Sequence, residues 1–149
     1  MTTLPITLTI AGAAAILHIW LAARVSRLRR QFKISIGDGG NDALSRRMRA
    51  HANYAENMPI FLILLALLEF AGGDRRILWA IGIAFVLARL AHAFGMDRPS
   101  LARLRLVGML TSILLLLGLG LYAILLAYQS PPVRGGIQIS PGRSASLSI

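Results

Sequence analysis

Four separated runs of apolar residues constrain this chain more than anything else in it: Leu4–Ala23, Met58–Gly72, Ile77–Phe94 and Leu104–Tyr128. A hydrocarbon core takes about 20 mostly apolar residues to cross as an α-helix, and backbone groups inside it must bond to one another. The second run is the shortest, but a polar helical segment leads into it and extends it backwards. The chain therefore reads as all-α, an integral membrane antiparallel four-helix bundle over residues 1–128. Residues 129–149, rich in Ser, Pro and Gly with few large apolar side chains, read as a disordered tail. Few ionisable residues interrupt the runs: His18, Glu69, Arg89, His92 and Arg105.

Composition agrees with the runs. Hydrophobic residues make up 56% of the 149, only 15% are charged, and the mean hydropathy is +0.65, unlike a soluble domain of this size. The net charge of +10 would suggest nucleic acid in a soluble protein. In so apolar a chain it points to cationic loops on a membrane protein, and no nucleic-acid partner is expected. The sequence holds no Cys, so thiol chemistry needs a thiol brought by a ligand. The first run is expected to be a retained helix rather than a signal peptide, because its cations (Arg24, Arg27, Arg29, Arg30, Lys33) follow it instead of preceding it.

The connections are short and polar. Gly37-Asp38-Gly39-Gly40-Asn41-Asp42 stops the first helix, and the second begins near Asp42 or Ser45. Gly72-Gly73-Asp74 and Asp97-Arg98-Pro99-Ser100 make the next two turns. The first and third loops with their helix ends carry Arg24, Arg27, Arg29, Arg30, Lys33, Arg46, Arg47, Arg49, Arg98, Arg103 and Arg105, against Arg75, Arg76, Arg134 and Arg143 on the other side. By the positive-inside rule the first and third loops are expected in the cytoplasm, and both termini on the opposite side. Trp20, Trp79, Tyr122 and Tyr128 read as interfacial anchors.

Polar residues at membrane depth are costly unless satisfied, so they are where function is sought. On the second helix Arg46, Arg49, Asn53 and Glu56 recur at spacings of three and four and share one face, from which His51 is turned away. On the third helix Arg89, His92 and Met96 share a face, and Arg105 opens the fourth. These helix ends coincide in an antiparallel bundle, which predicts a cationic pocket with one carboxylate. The structural alternative is a Glu56–Arg89 ion pair between helices. The spacing of His51 and His92 offers no compact third ligand, so no metal is expected. His18 reads as a helix-to-helix hydrogen-bond partner, Glu69 as a solvated helix end or a partner of Arg75 and Arg76, and Pro59 as a kink beside Glu56. The Arg24–Lys33 run reads as an anchor that snorkels to the headgroups.

The segment Arg49-Ala50-His51-Ala52-Asn53-Tyr54-Ala55-Glu56-Asn57-Met58-Pro59, followed by an apolar run, resembles the signature of the MAPEG family, membrane-associated proteins in eicosanoid and glutathione metabolism. Ala88-Arg89-Leu90-Ala91-His92 and Arg103-Leu104-Arg105-Leu106-Val107-Gly108 extend the resemblance, which is greatest to small bacterial members. It implies a homotrimer in the cell inner membrane that binds glutathione between neighbouring subunits, with a hydrophobic small molecule delivered from the lipid as second substrate. It also implies roles. Arg49 and Asn53 would hold carboxylate or backbone groups of the tripeptide, Glu56 its α-ammonium, and Arg89 and His92 its other polar groups, with His51 a further candidate contact within the motif. One of Arg27 or Arg30 would complete the clamp, and Arg105 would be the catalytic residue beside the sulfur.

The implied activity is that of a glutathione transferase, with peroxidase activity as a variant of it. Three positions depart from other members: Met96 stands where many eukaryotic ones have tyrosine, Ala52 where some have a second arginine, and Leu106 where some have a polar residue. Methionine cannot donate a hydrogen bond to a thiolate, so these departures argue against specialised eicosanoid synthesis more than against glutathione binding. The competing expectation is a non-catalytic lipid-binding or scaffold protein of the same fold.

Overall fold

In a computed structural model, which describes residues 3–129, the four apolar runs form four long helices: α1 (Pro5–Phe32), α2 (Asp42–Phe70), α3 (Arg75–Asp97) and α4 (Ala102–Gln129). Each is long and apolar enough to cross a membrane. The tail from residue 130 onward lies outside the described residues. Short connections force the helices antiparallel, so the C-terminal ends of α1 and α3 meet the N-terminal ends of α2 and α4. The cation-rich termini thereby share one end of the bundle.

Sequence chemistry sets the helix ends. Pro5 occupies the first turn of α1, where its missing N–H costs nothing. Asn41 caps α2 by accepting from Leu44 N at 2.9 Å, and Asp74 caps α3 by accepting from Arg76 N and Ile77 N. Lys33 ends α1 in a left-handed conformation, with Ile34 N donating back to Arg29 O at 3.0 Å. In the loop beyond, Gly40 N donates to Asp38, which holds that carboxyl below the usual carboxylate range. A three-residue 3-10 turn, Pro99–Leu101, joins α3 to α4.

The core is aromatic at mid-depth. The Phe61 and Phe85 rings stack between α2 and α3 with centroids 3.8 Å apart, among Ile10, Leu65, Leu78 and Leu119. Tyr54 is buried and donates its hydroxyl to Ala14 O, tying α2 to α1. Outward, Ile16, Ile63, Leu87, Leu114 and Leu117 are exposed on four different helices. So wide an apolar surface suits lipid and not water.

One expectation needs correction. Glu69 feels the charge of Arg75, but it is not a free helix end and its hydrogen bonds go to α1. Its two carboxylate oxygens accept from Ile6 N (2.9 Å), Thr7 N (2.7 Å) and Thr7 Oγ1 (2.7 Å), capping α1 from across the bundle. Orphan N–H groups and the positive end of the helix dipole explain why a carboxylate settles there. Pro59 lies inside α2, which runs from Asp42 to Phe70.

Candidate functional site

The N-terminal half of α2 presents Arg46, Arg49, Asn53 and Glu56 on successive turns, and all four line one cavity. From α3 the same cavity takes His92 and Met96, and from α4 Arg105, Leu106 and Met109. Its volume is about 710 Å³, and Ala52 completes the wall. Clefts of ~300–1,000 Å³ with a few convergent polar groups are the usual form of small-molecule sites. Three guanidinium groups against one carboxylate make the ionised lining strongly cationic.

Two glycines set the α3–α4 corner. A Cβ on Gly95 would overlap the backbone of Arg105. One on Gly108 would lie 2.5 Å from Ala88 O and His92 N. Only glycine permits helices to approach so closely, and the approach brings Arg105 beside His92. His92 Nδ1 lies 3.3 Å from Arg105 O, which favours the proton on Nδ1 and leaves Nε2 as the ring acceptor. One turn on, buried Ser112 donates to Gly108 O at 2.7 Å.

Arg89 does not line the cavity. It is 3% exposed and sits behind the wall, where Nη2 donates to Asn53 Oδ1. The ion pair with Glu56 weighed from the sequence is not formed, and Glu56 is exposed on the cavity side. Asn53 therefore has its carbonyl committed and its amide N–H₂ left to donate. Asn57 Nδ2 in turn donates to the Asn53 backbone carbonyl at 2.7 Å.

Three proposed contacts fall elsewhere. His51 faces α1, its ring 4.7 Å from that of His18, which packs 5.9 Å from Tyr54. The His18 contact between helices is thus a ring contact. Arg27 is exposed and outside the cavity, and Arg30 lines a second cleft at the end of α1.

Sequence reasoning missed Asp97. It ends α3 one residue past Met96 and takes ion pairs from Arg24 of α1 and, at 3.3 Å, from Arg47 of α2. Arg47 Nη1 also donates to Arg24 O, and the Arg24 guanidinium lies 4.4 Å from the centre of the Trp20 ring, which packs on Phe94. Trp20 is thus a packing partner of Arg24 and Phe94. The signal was the lone acid in a run of arginines, although spacing alone could not identify its partners.

The model of the MAPEG family matches residues 7–125. The chain is also 33% identical over 82 residues to a protein named inner membrane protein YecN, found in Escherichia coli K12 and in E. coli O6:H1. That match covers 55% of this chain and 63% of the relative, short of two thirds of the relative's length.

Proposed function

The chain belongs to the MAPEG family, and on that premise we propose that it binds glutathione in the α2–α3–α4 cavity and activates its thiol against hydrophobic electrophiles. The observation that carries the reading is the charge of the lining. Arg46, Arg49 and Arg105 against Glu56 leave an excess of two positive charges. Glutathione with an ionised thiol bears two carboxylates, one ammonium and one thiolate, an excess of two negative charges. A purely lipidic cavity needs none of these groups.

Within the reading, Arg49 and the Asn53 amide hold carboxylate or backbone groups of the tripeptide, and Glu56 takes the α-ammonium. Arg89 acts through Asn53. Arg105 stabilises the sulfur anion: a guanidinium stays charged, so it favours the thiolate without giving up a proton. The S–H proton passes to water at the open mouth. The thiolate lone pair then forms an S–C bond while the leaving group departs with its electrons. With a hydroperoxide it attacks oxygen and breaks the O–O bond, giving an alcohol and a sulfenic acid that a second glutathione reduces to disulfide and water. Leu106, Met96 and Met109 give the apolar co-substrate its wall.

The reading includes a homotrimer, in which a neighbouring subunit covers the open side of the cavity and Arg27 reaches a neighbour's ligand. The exposure of Arg27, Arg49, Glu56 and Arg105 on the single chain supports it. It also places the protein in the inner membrane, the location in the relative's name, with the cationic end cytoplasmic.

The test is the ultraviolet absorbance of glutathione thiolate on purified protein in detergent. Wild type should show a thiolate signal at neutral pH, and Arg105→Ala should lose it. An undiminished signal in the variant would remove Arg105 from the chemistry. Bound lipid with no calorimetric signal for glutathione would favour the non-catalytic reading.

A further inference from the structure

A second cleft lies at the cationic end of α1, outside the proposed glutathione cavity. Its volume is about 410 Å³, and Ser26, Arg29, Arg30, Lys33, Ile34 and Ser35 line it. The left-handed Lys33 folds the chain back, and Ile34 N bonds to Arg29 O, so that Ile34 and Ser35 return over the last turns of α1. Arg29 fastens this return by donating to Ser35 O at 2.9 Å and to Met48 Sδ at 3.4 Å.

The cleft concentrates positive charge that none of the described residues in its wall neutralises. Arg29 and Lys33 are four residues apart and Arg30 and Lys33 three, the spacings at which like charges on a helix repel. Among the described residues no acidic side chain lines the cleft. The nearest in sequence, Asp38, is engaged by Gly40 N and by Ser45. Two serine hydroxyls add donors, so the lining offers charged and neutral donors to a tetrahedral oxyanion.

Depth identifies the source of the anion. The apolar run ends at Ala23, and the cleft begins on the next turns of the same helix, where the headgroups lie. Phe32 and Ile36 are exposed on either side of Lys33. Bare apolar side chains flanking a cationic cleft suit a surface that offers phosphate and acyl chain together.

We propose that this cleft is a phosphate-binding site filled from the membrane by the headgroup of an anionic phospholipid. One lipid per protomer then supplies the counter-charge that the α1 terminus lacks. Arg27, exposed and outside the lining, is left free of this role.

Native mass spectrometry of the full-length protein, released from phosphatidylcholine nanodiscs doped with phosphatidylglycerol, tests it. Wild type should retain phosphatidylglycerol in preference to phosphatidylcholine. Ser26→Glu places a carboxylate among Arg29, Arg30 and Lys33 at helix-stabilising spacing, and should lower that retention about tenfold. Lys33→Asn, which tolerates the left-handed backbone, should lower it in the same direction. Arg75→Gln with Arg76→Gln removes two cations at the opposite end and should leave it unchanged. Equal retention by wild type and Ser26→Glu, or an equal loss in the Arg75/Arg76 variant, would overturn the site. Displacement of the lipid by millimolar inorganic phosphate would overturn the lipid as its source. None of these variants touches the cavity proposed for glutathione, so the outcome is independent of glutathione binding.

Discussion

Arg89 on α3 donates a hydrogen bond through Nη2 to the side-chain carbonyl of Asn53 on α2, from behind the wall of the cavity that Asn53 lines. The bond fixes which end of the Asn53 amide is free to meet a ligand. Arg89→Met should let the amide turn and should weaken glutathione binding about tenfold, the weight of one hydrogen bond to a charged group. Arg89→Lys should not restore it, because an ammonium lacks the planar fork that reaches Asn53. Calorimetry in detergent checks both, and unchanged affinity in Arg89→Met would separate Arg89 from the site.

Gly108 should be intolerant of a side chain. A methyl group 2.5 Å from Ala88 O and His92 N would push α4 from α3, an overpacking that costs about 2 kcal/mol and displaces Arg105. Gly118 and Gly120, on the same helix, have nothing among the described residues within 4 Å of an added Cβ. Gly108→Ala is expected to lower the thermal unfolding midpoint and the thiolate signal together. Gly118→Ala and Gly120→Ala should leave both intact.

Asp97 gathers Arg24 and Arg47 at the ends of three helices. Asp97→Asn would leave the largely buried Arg24 without its carboxylate, at a cost of about 2 kcal/mol. The expected result is a midpoint in detergent lower by about 5 °C. Arg98→Gln, one residue on and exposed, should show no such drop.

Glu69 caps α1 through three hydrogen bonds, two of them from backbone N–H groups. Glu69→Gln keeps one acceptor oxygen and loses the charge that faces the helix dipole, a loss of about 1 kcal/mol. Hydrogen exchange should quicken at Ile6 and Thr7 and remain as in wild type at Phe61 and Leu65.

These variants mark the boundary of what the sequence discloses. The four spans were legible because membrane crossing imposes a length and a composition, and the α2 stripe because helical spacing puts Arg46, Arg49, Asn53 and Glu56 on one face. The convergence of His92, Met96 and Arg105 on that stripe followed from antiparallel order. The pairings did not follow. Arg89 shares the His92 face yet turns to Asn53, and Glu69 and Asp97 find partners 62 and 73 residues away in sequence. Periodicity reports which face a residue occupies, whereas such pairings depend on relative helix height and on close approaches such as the one at Gly95 and Gly108.

The central proposal is that the α2–α3–α4 cavity accepts glutathione through one carboxylate and several guanidinium groups. Calorimetric titration of glutathione into wild type and Glu56→Gln in the same detergent tests this most directly. Wild type should bind, and the variant should bind about tenfold or more weakly, as expected when a charge-assisted hydrogen bond to an ammonium is removed. Equal affinities, or no binding by wild type, would contradict it.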